Sequence, residues 1–189
     1  MEVHALLDVL HIAERLKDEL RHCDTSKGRR ESVAEHSWRI ALMALFMQDE
    51  FPELDMNKVI RMCLIHDLGE CFTGDIPTFL KSKEDEKKED EALAAWVRSL
   101  PEPYCTELAD LYAEMNALQT GEARLYKTLD KLEAVIQHNQ SDIRTWLPLE
   151  YDLQKTYAAE AVKGFPFLER LQEESVKETE RKIEEYSRK

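Results

Sequence analysis

Glycine and proline are scarce, five and six residues of 189, and nearly all of them punctuate. Gly28, Pro52, Gly74, Pro77, Pro101, Pro103, Gly121, Pro148, Gly164 and Pro166 fall between apolar patterns of helical period; only Gly69 sits inside one, near its end. No run of alternating β-branched residues occurs, so the expected class is all-α, with about seven or eight helices. Cysteine is also sparse. Cys23, Cys63, Cys71 and Cys105 form no C-x-x-C pair, which argues against a cysteine zinc site or a disulfide framework and for a reducing, cytoplasmic setting. No apolar stretch approaches a membrane span. The N-terminus lacks a basic segment followed by an apolar one, so neither a signal peptide nor a membrane partner is expected. Positive charge is in deficit: 26 Lys and Arg face 39 Asp and Glu, a net charge of -13. Such a surface repels phosphate chains, so nucleic acid is not an expected partner; a small anion in a locally basic pocket is still allowed. With no repeat and no linker, residues 1–189 are expected to form one domain, its site-bearing part over about 1–140 and further helices over about 148–189.

Charge does occur where apolar residues should be. Cys63-Leu64-Ile65-His66-Asp67-Leu68-Gly69-Glu70, followed by Thr73-Gly74-Asp75, sets a His, two Asp and a Glu in an apolar stretch. If Asn57–Glu70 is helical, Val59, Met62, Cys63, His66 and Glu70 share one stripe. His66 and Asp67 then lie about 100° apart around the axis and can flank one ion. Buried charges need a partner or a metal. The residues alone admit two readings: a metal site beside a proton-transfer group, or a core His bonded to a carbonyl with acids at a frayed helix end.

Three other stretches bear on that choice. Ser32-Val33-Ala34-Glu35 reads as a capping box, opening a helix to about Glu50 with Val33, Ile40, Met43, Ala44 and Met47 as its apolar stripe; His36 lies on that stripe. In a helix over Glu122–Asn139, Asp130 borders the core face of Leu125, Leu129, Leu132, Val135 and Ile136, and needs either Lys127, Lys131 or an ion. The segment Arg21–Arg30 holds four basic residues and one acid, and reads as a solvated loop or as a phosphate clamp. Before it, a helix over Glu2–Leu20 is expected to bury Val3, Leu6, Leu7, Leu10, Ala13, Leu16 and Leu20. At the other end Glu173–Lys189 reads as largely solvated, with Val176, Ile183 and Tyr186 free to pack on a partner subunit.

His36, His66, Asp67 and Asp130 together make a mixed nitrogen and oxygen set suited to one divalent first-row ion. A bound ion lowers the pKa of water and polarises a phosphoryl oxygen. Glu70 could orient that water and move its proton, and the basic segment could hold phosphate. Together these describe hydrolysis of a phosphate ester. A di-iron bundle would need paired Glu-x-x-His and a zinc protease H-E-x-x-H; the sequence has neither.

In their order, these motifs resemble the HD-domain phosphohydrolases, an all-α superfamily, and within it the 5′-deoxynucleotidase branch (the YfbR-like and "HD-domain-containing 2" group). The matching stretches are Glu31-Ser32-Val33-Ala34-Glu35-His36-Ser37, Ile65-His66-Asp67-Leu68-Gly69-Glu70, Thr73-Gly74-Asp75-Ile76-Pro77-Thr78 and Lys127-Thr128-Leu129-Asp130-Lys131-Leu132-Glu133. The resemblance covers roughly Met1–Gln140. It implies an HD-domain helical bundle with one divalent ion (Mn, Co, Zn, Fe or Mg) held by His36, His66, Asp67 and Asp130. It further implies that Glu70, beside Asp67, acts on the nucleophilic water, that Asp75 meets the sugar 3′-hydroxyl, and that Arg21 contacts the phosphate of a nucleoside monophosphate. His22 stands where bacterial members place a Trp that helps fix sugar and phosphate, so the resemblance does not extend to selection of deoxyribose over ribose. A homodimer is implied as well. No base-specific constellation stands out, and the base is expected to be read weakly. Two other readings stay open: an HD phosphohydrolase acting on a cyclic nucleotide, a guanosine polyphosphate or a non-nucleotide phosphate, and a non-catalytic HD-fold binding protein.

Overall fold

A computed structural model describes residues 1–188. Seven helices of ten residues or more carry the fold: α1 Val3–Glu14, α2 Val33–Phe46, α3 Met56–Ile65, α5 Lys83–Ser99, α6 Tyr104–Ala117, α7 Gly121–Gln140 and α9 Pro166–Ser187. Two shorter ones, α4 Glu70–Thr73 and α8 Glu150–Thr156, sit where the chain turns. The all-α class is therefore observed, and none of the described helices is long and apolar enough to cross a membrane. Local chemistry sets the starts. Ser32 closes the anticipated capping box with Glu35 on α2, Ser82 forms a second one with Asp85 on α5, and Asp55 and Thr120 cap α3 and α7. Each satisfies amide donors that a helix start would otherwise leave bare.

The core forms where α2, α3 and α7 pack together. Ile40 and Ala44 of α2, Val59 and Met62 of α3, Leu125, Leu129 and Leu132 of α7, and Leu168 of α9 are fully enclosed. Each of the larger side chains contributes about 1.5–3 kcal/mol by leaving water, so these helices are held as a stiff frame. The charged residues discussed above sit at one edge of it.

Three expectations differ from what is observed. First, α1 stops at Glu14, and only Leu16 of its stripe is buried, in a small cluster with Val33 and Cys71. Val3, Leu6, Leu7, Leu10 and Leu20 are exposed. The amphipathic period is present, but no described element of this chain lies over that face. Second, the Arg21–Arg30 segment is mostly a hairpin. Strand β1 Leu20–Asp24 pairs antiparallel with β2 Arg30–Ser32, in the only sheet among the described residues. Its turn closes on Gly28, whose φ of +79° suits a residue without Cβ. Third, Asn57–Glu70 is not one helix. The His66 ring Nδ1 takes the Cys63 carbonyl at 2.9 Å and the Tyr112 hydroxyl takes that of Ile65 at 2.7 Å. The chain leaves α3 in tight three-residue turns, Leu68 N–H to Ile65 and Glu70 N–H to Asp67, so that the Ile65 carbonyl accepts from Tyr112 and Leu68 together. The Glu173–Lys189 stretch, described to residue 188, is largely solvated as expected, with two exceptions. Ser175 and Thr179 are buried, and Thr179 donates to Asn139 Oδ1 at 2.8 Å. The four cysteines are unpaired, and Cys23, Cys63 and Cys71 are buried.

Candidate active site

The capping box aims the first turn of α2, and with it His36, at the middle of α7. There His36 Nε2 lies 3.2 Å from Asp130 Oδ1. The broken end of α3 brings His66 and Asp67 to the same point: His66 Nε2 is 3.0 Å from Asp67 Oδ2 and 3.8 Å from Asp130 Oδ1, and His36 Nε2 is 3.9 Å from Asp67 Oδ2. Two imidazole nitrogens and two carboxylates, from three elements distant in sequence, thus face one small volume.

The chemistry of this set fits a cation. His66 Nδ1 faces a carbonyl, which can only accept, so Nδ1 carries the proton and Nε2 keeps its lone pair. That Nε2 is buried with no hydrogen-bond partner. His36 is arranged in the same way by another group: its Nδ1 donates to Glu133 Oε2 at 2.5 Å, and both residues are fully buried. Ligating histidines in proteins have their second nitrogen fixed like this. Burial alone would raise both aspartates. Lys127 beside Asp130, and the His66 and His36 rings in their protonated form beside both carboxyls, outweigh it and hold Asp67 and Asp130 well below the usual carboxylate range; a divalent ion would take the place of those ring protons. Asp130 also divides its oxygens: Lys127 Nζ takes Oδ2 at 2.7 Å, while Oδ1 faces the histidines. The partner and the ion offered as alternatives for Asp130 are thus compatible.

A cavity of about 340 Å³ opens on this cluster, lined by Arg21, His22, Asp67, Glu70, Asp75, Lys127 and Asp130 among others. It therefore gathers every anticipated substrate-side residue and two of the four anticipated ligands; His36 and His66 lie behind it. Glu70, at the start of α4, is 6% exposed and its Oε2 has no partner. Burial, reinforced by the charges of Asp67 and Asp75, pushes its carboxyl up to about 10. It binds a proton far more firmly than an exposed glutamate does. Asp75 is held by its backbone: its N–H donates to Glu19 Oε1 at 3.0 Å, following Gly74 at φ +79°. A Cβ on Gly74 would come within 3.2 Å of that same Glu19 oxygen, so the turn needs glycine twice over.

Arg21 projects from β1 with Nε 3.3 Å from Glu31 Oε2 and a terminal nitrogen 3.7 Å from Asp67 Oδ2. The clamp expected of the whole basic segment reduces to this one residue. Arg29 pairs with Glu35, and Arg30 donates to the Arg21 carbonyl; neither lines the cavity. The other cations on the wall are Lys81, Lys127 and Lys131. His22 does not point at the metal cluster. Its Nε2 is 3.3 Å from Glu150 Oε1, and its ring meets Phe79 edge-on at 5.5 Å. Sequence reasoning missed Glu133 and Glu31, two buried acids that buttress His36 and Arg21. The available signal was Glu133's position, three residues past Asp130 and hence on nearly the same helix face.

The HD domain family model matches residues 13–185. The human 5′-deoxynucleotidase HDDC2 is 33% identical over 114 residues, 59% of this chain and 55% of the human protein. The chain thus spans about half the length of the curated relatives it matches. Among solved structures, a predicted metal-dependent phosphohydrolase from Magnetospirillum magnetotacticum MS-1 is 29% identical, with a TM-score of 0.81 over 95% of this chain and 96% of that one. The cyanophage S-2L HD phosphohydrolase DatZ, bound to dA and one catalytic Zn2+ ion, is 24% identical with a TM-score of 0.55 over 98% of both chains, a likeness of fold.

Proposed function

The chain belongs to the HD domain family, and on that premise we propose that it is a metal-dependent phosphomonoesterase removing the 5′-phosphate of (deoxy)nucleoside monophosphates. The observation that carries this reading is the cavity in which Glu70, Asp75 and Arg21 surround the edge of the His36, His66, Asp67 and Asp130 cluster. The 5′-deoxynucleotidase names of curated relatives support the substrate class. Residues 1–189 act as one HD domain in this reading, consistent with a core that runs from Ile40 to Leu168. The unpaired buried thiols support a reducing, cytoplasmic location.

The two imidazole Nε2 atoms and the two aspartates would hold one divalent ion, Mn, Co, Zn, Fe or Mg, in the roles set out above. When bound, that ion polarises phosphoryl oxygens and makes water more acidic. Arg21 holds the phosphate with a guanidinium already fixed by Glu31. Asp75 accepts from the sugar 3′-hydroxyl. Glu70 takes a proton from water as its oxygen bonds to phosphorus. The same proton then serves the 5′-oxygen as the phosphorus–oxygen bond breaks, which leaves nucleoside and inorganic phosphate.

The test is phosphate release from a panel of ribo- and deoxyribonucleoside 5′-monophosphates with each candidate ion, and Asp67→Ala as control. Release lost in the control supports the reading; absence of release from every member overturns it. Arg21→Ala should raise KM about 10- to 100-fold, the worth of a charge-assisted hydrogen bond, with a smaller change in kcat. An unchanged KM would remove Arg21 from the phosphate site.

A second copy of the chain is the proposed cover for α1. The accessible surface is 10996 Å², against about 9,300 Å² for an ordinary monomer of this mass. Part of the exposed surface is an apolar face: Val3, Leu6, Leu7 and Leu10 lie together on α1, all exposed. Sedimentation should give a dimer, and Leu6→Asp with Leu10→Asp should give a monomer; a wild-type monomer at micromolar concentration would refute the pairing.

A further inference from the structure

The cavity is longer than a phosphate and a sugar require. Asp130, Ala134 and His138 lie on its floor at successive turns of α7, which at 1.5 Å per residue places His138 about 12 Å along the axis from the metal cluster. That is roughly the reach of a nucleoside monophosphate from phosphorus to the far edge of its base. Midway, Ala134 leaves the floor open.

The far end is built. Glu150 is 2% exposed, and its Oε1 receives His138 Nε2 at 3.0 Å and faces His22 Nε2 at 3.3 Å, while Oε2 receives the Leu147 N–H at 2.6 Å. Its acceptors are committed. One turn later on α8, Gln154 lines the same cavity at 5% exposure, and its Oε1 is buried with no hydrogen-bond partner. A buried amide oxygen left unpaired is costly unless a ligand donates to it. Phe79, against the His22 ring, gives this end an aromatic wall, the kind of surface on which a flat heterocycle stacks.

We propose that this end is a nucleobase subsite in which Gln154 Oε1 accepts from the exocyclic amino group at the far edge of the base, so that adenine and cytosine are favoured over guanine, thymine and uracil, which carry a carbonyl at that position. The proposal rests on the nucleotidase reading for the position of the sugar, and it replaces the expectation of weak base reading with a specific one. His138 holds Glu150 at the rim, and His22 belongs to this end as well: its Nε2, near Glu150, is buried without a hydrogen-bond partner and is a second polar atom free for a base.

Calorimetry with the nucleosides deoxyadenosine and thymidine reads the subsite without turnover. Wild-type protein should bind deoxyadenosine about tenfold more tightly, the worth of one hydrogen bond in a desolvated site. Gln154→Leu should bring the two within about twofold of each other. Equal binding by wild-type protein overturns the proposal, even where the variant fails to fold, and so does a folded variant that keeps the preference. In parallel, kcat/KM for dAMP, dTMP and deoxyribose 5-phosphate separates the two readings. Hydrolysis of all three at one rate overturns the subsite and leaves the phosphatase. No hydrolysis of any, with the nucleoside preference intact, overturns the phosphatase and leaves the subsite.

Discussion

Glu70→Gln should retain its divalent ion and lose about 10²- to 10⁴-fold in kcat, the usual contribution of a positioned acid–base group. The substitution keeps the shape of a side chain that is almost fully enclosed, so the fold and the Asp67 turn should survive. In the proposed reading it removes the site that takes the water's proton. The surroundings of Glu70 oppose its charge, burial first, then Asp67 and Asp75, so the ion-free site holds the carboxyl protonated; a divalent ion beside Asp67 would offset those charges and free the carboxylate to act as the base. It is not among the four residues at the cluster, so metal content measured on the purified variant should match wild type. KM should change little, since in this reading Glu70 acts on the water and Arg21 holds the phosphate. A variant turning over at the wild-type rate would assign the proton to another group, and a variant that loses its ion would make Glu70 a ligand.

How far the sequence alone leads can be judged from particular residues. His66 and Asp67 were legible because charge inside an apolar run is expensive and therefore conspicuous. His36 was legible through the Ser32–Glu35 box, which fixes where α2 starts and hence which side chain occupies its first turn. Periodicity found the buried faces of α2 and α7 for the same reason. It failed on α1, because an apolar stripe says that a face avoids water without saying what covers it. It also failed on β1 and β2, which are short, polar and held by a turn rather than by a core. The continuous helix to Glu70 was overestimated because the His66 ring takes the Cys63 carbonyl, and a tyrosine hydroxyl 47 positions away shares the Ile65 carbonyl with a three-residue turn. Such long-range acceptance leaves no local trace. The far end of the cavity was hidden likewise: His22, His138, Glu150 and Gln154 are each ordinary surface residues until α7 and α8 bring them together.

Glu133 is the case with the largest consequence. In sequence it is one more acid in a helix of mixed charge. In the structure it is fully buried and holds His36 through a 2.5 Å hydrogen bond to Nδ1, with Arg39 at 3.4 Å from its other oxygen. His36 has no carbonyl to do for it what Cys63 does for His66, so its tautomer depends on a side chain that can be removed. Glu133→Ala should therefore weaken the divalent ion about 10- to 100-fold, measured by competition with a chelating dye. Glu133→Gln keeps an acceptor for Nδ1 while losing the charge, and should fall between the two. The opposing effect is relief of Glu31, whose carboxyl Glu133 helps hold up at about 7 after burial has raised it; that relief acts on stability and leaves the orientation of His36 unrepaired. At saturating metal the Ala variant should regain most of its turnover, because Glu133 does not line the cavity. Wild-type affinity in the Ala variant would show that α2 alone orients His36. Full affinity with turnover lost would instead place Glu133 in the proton path beside Glu70.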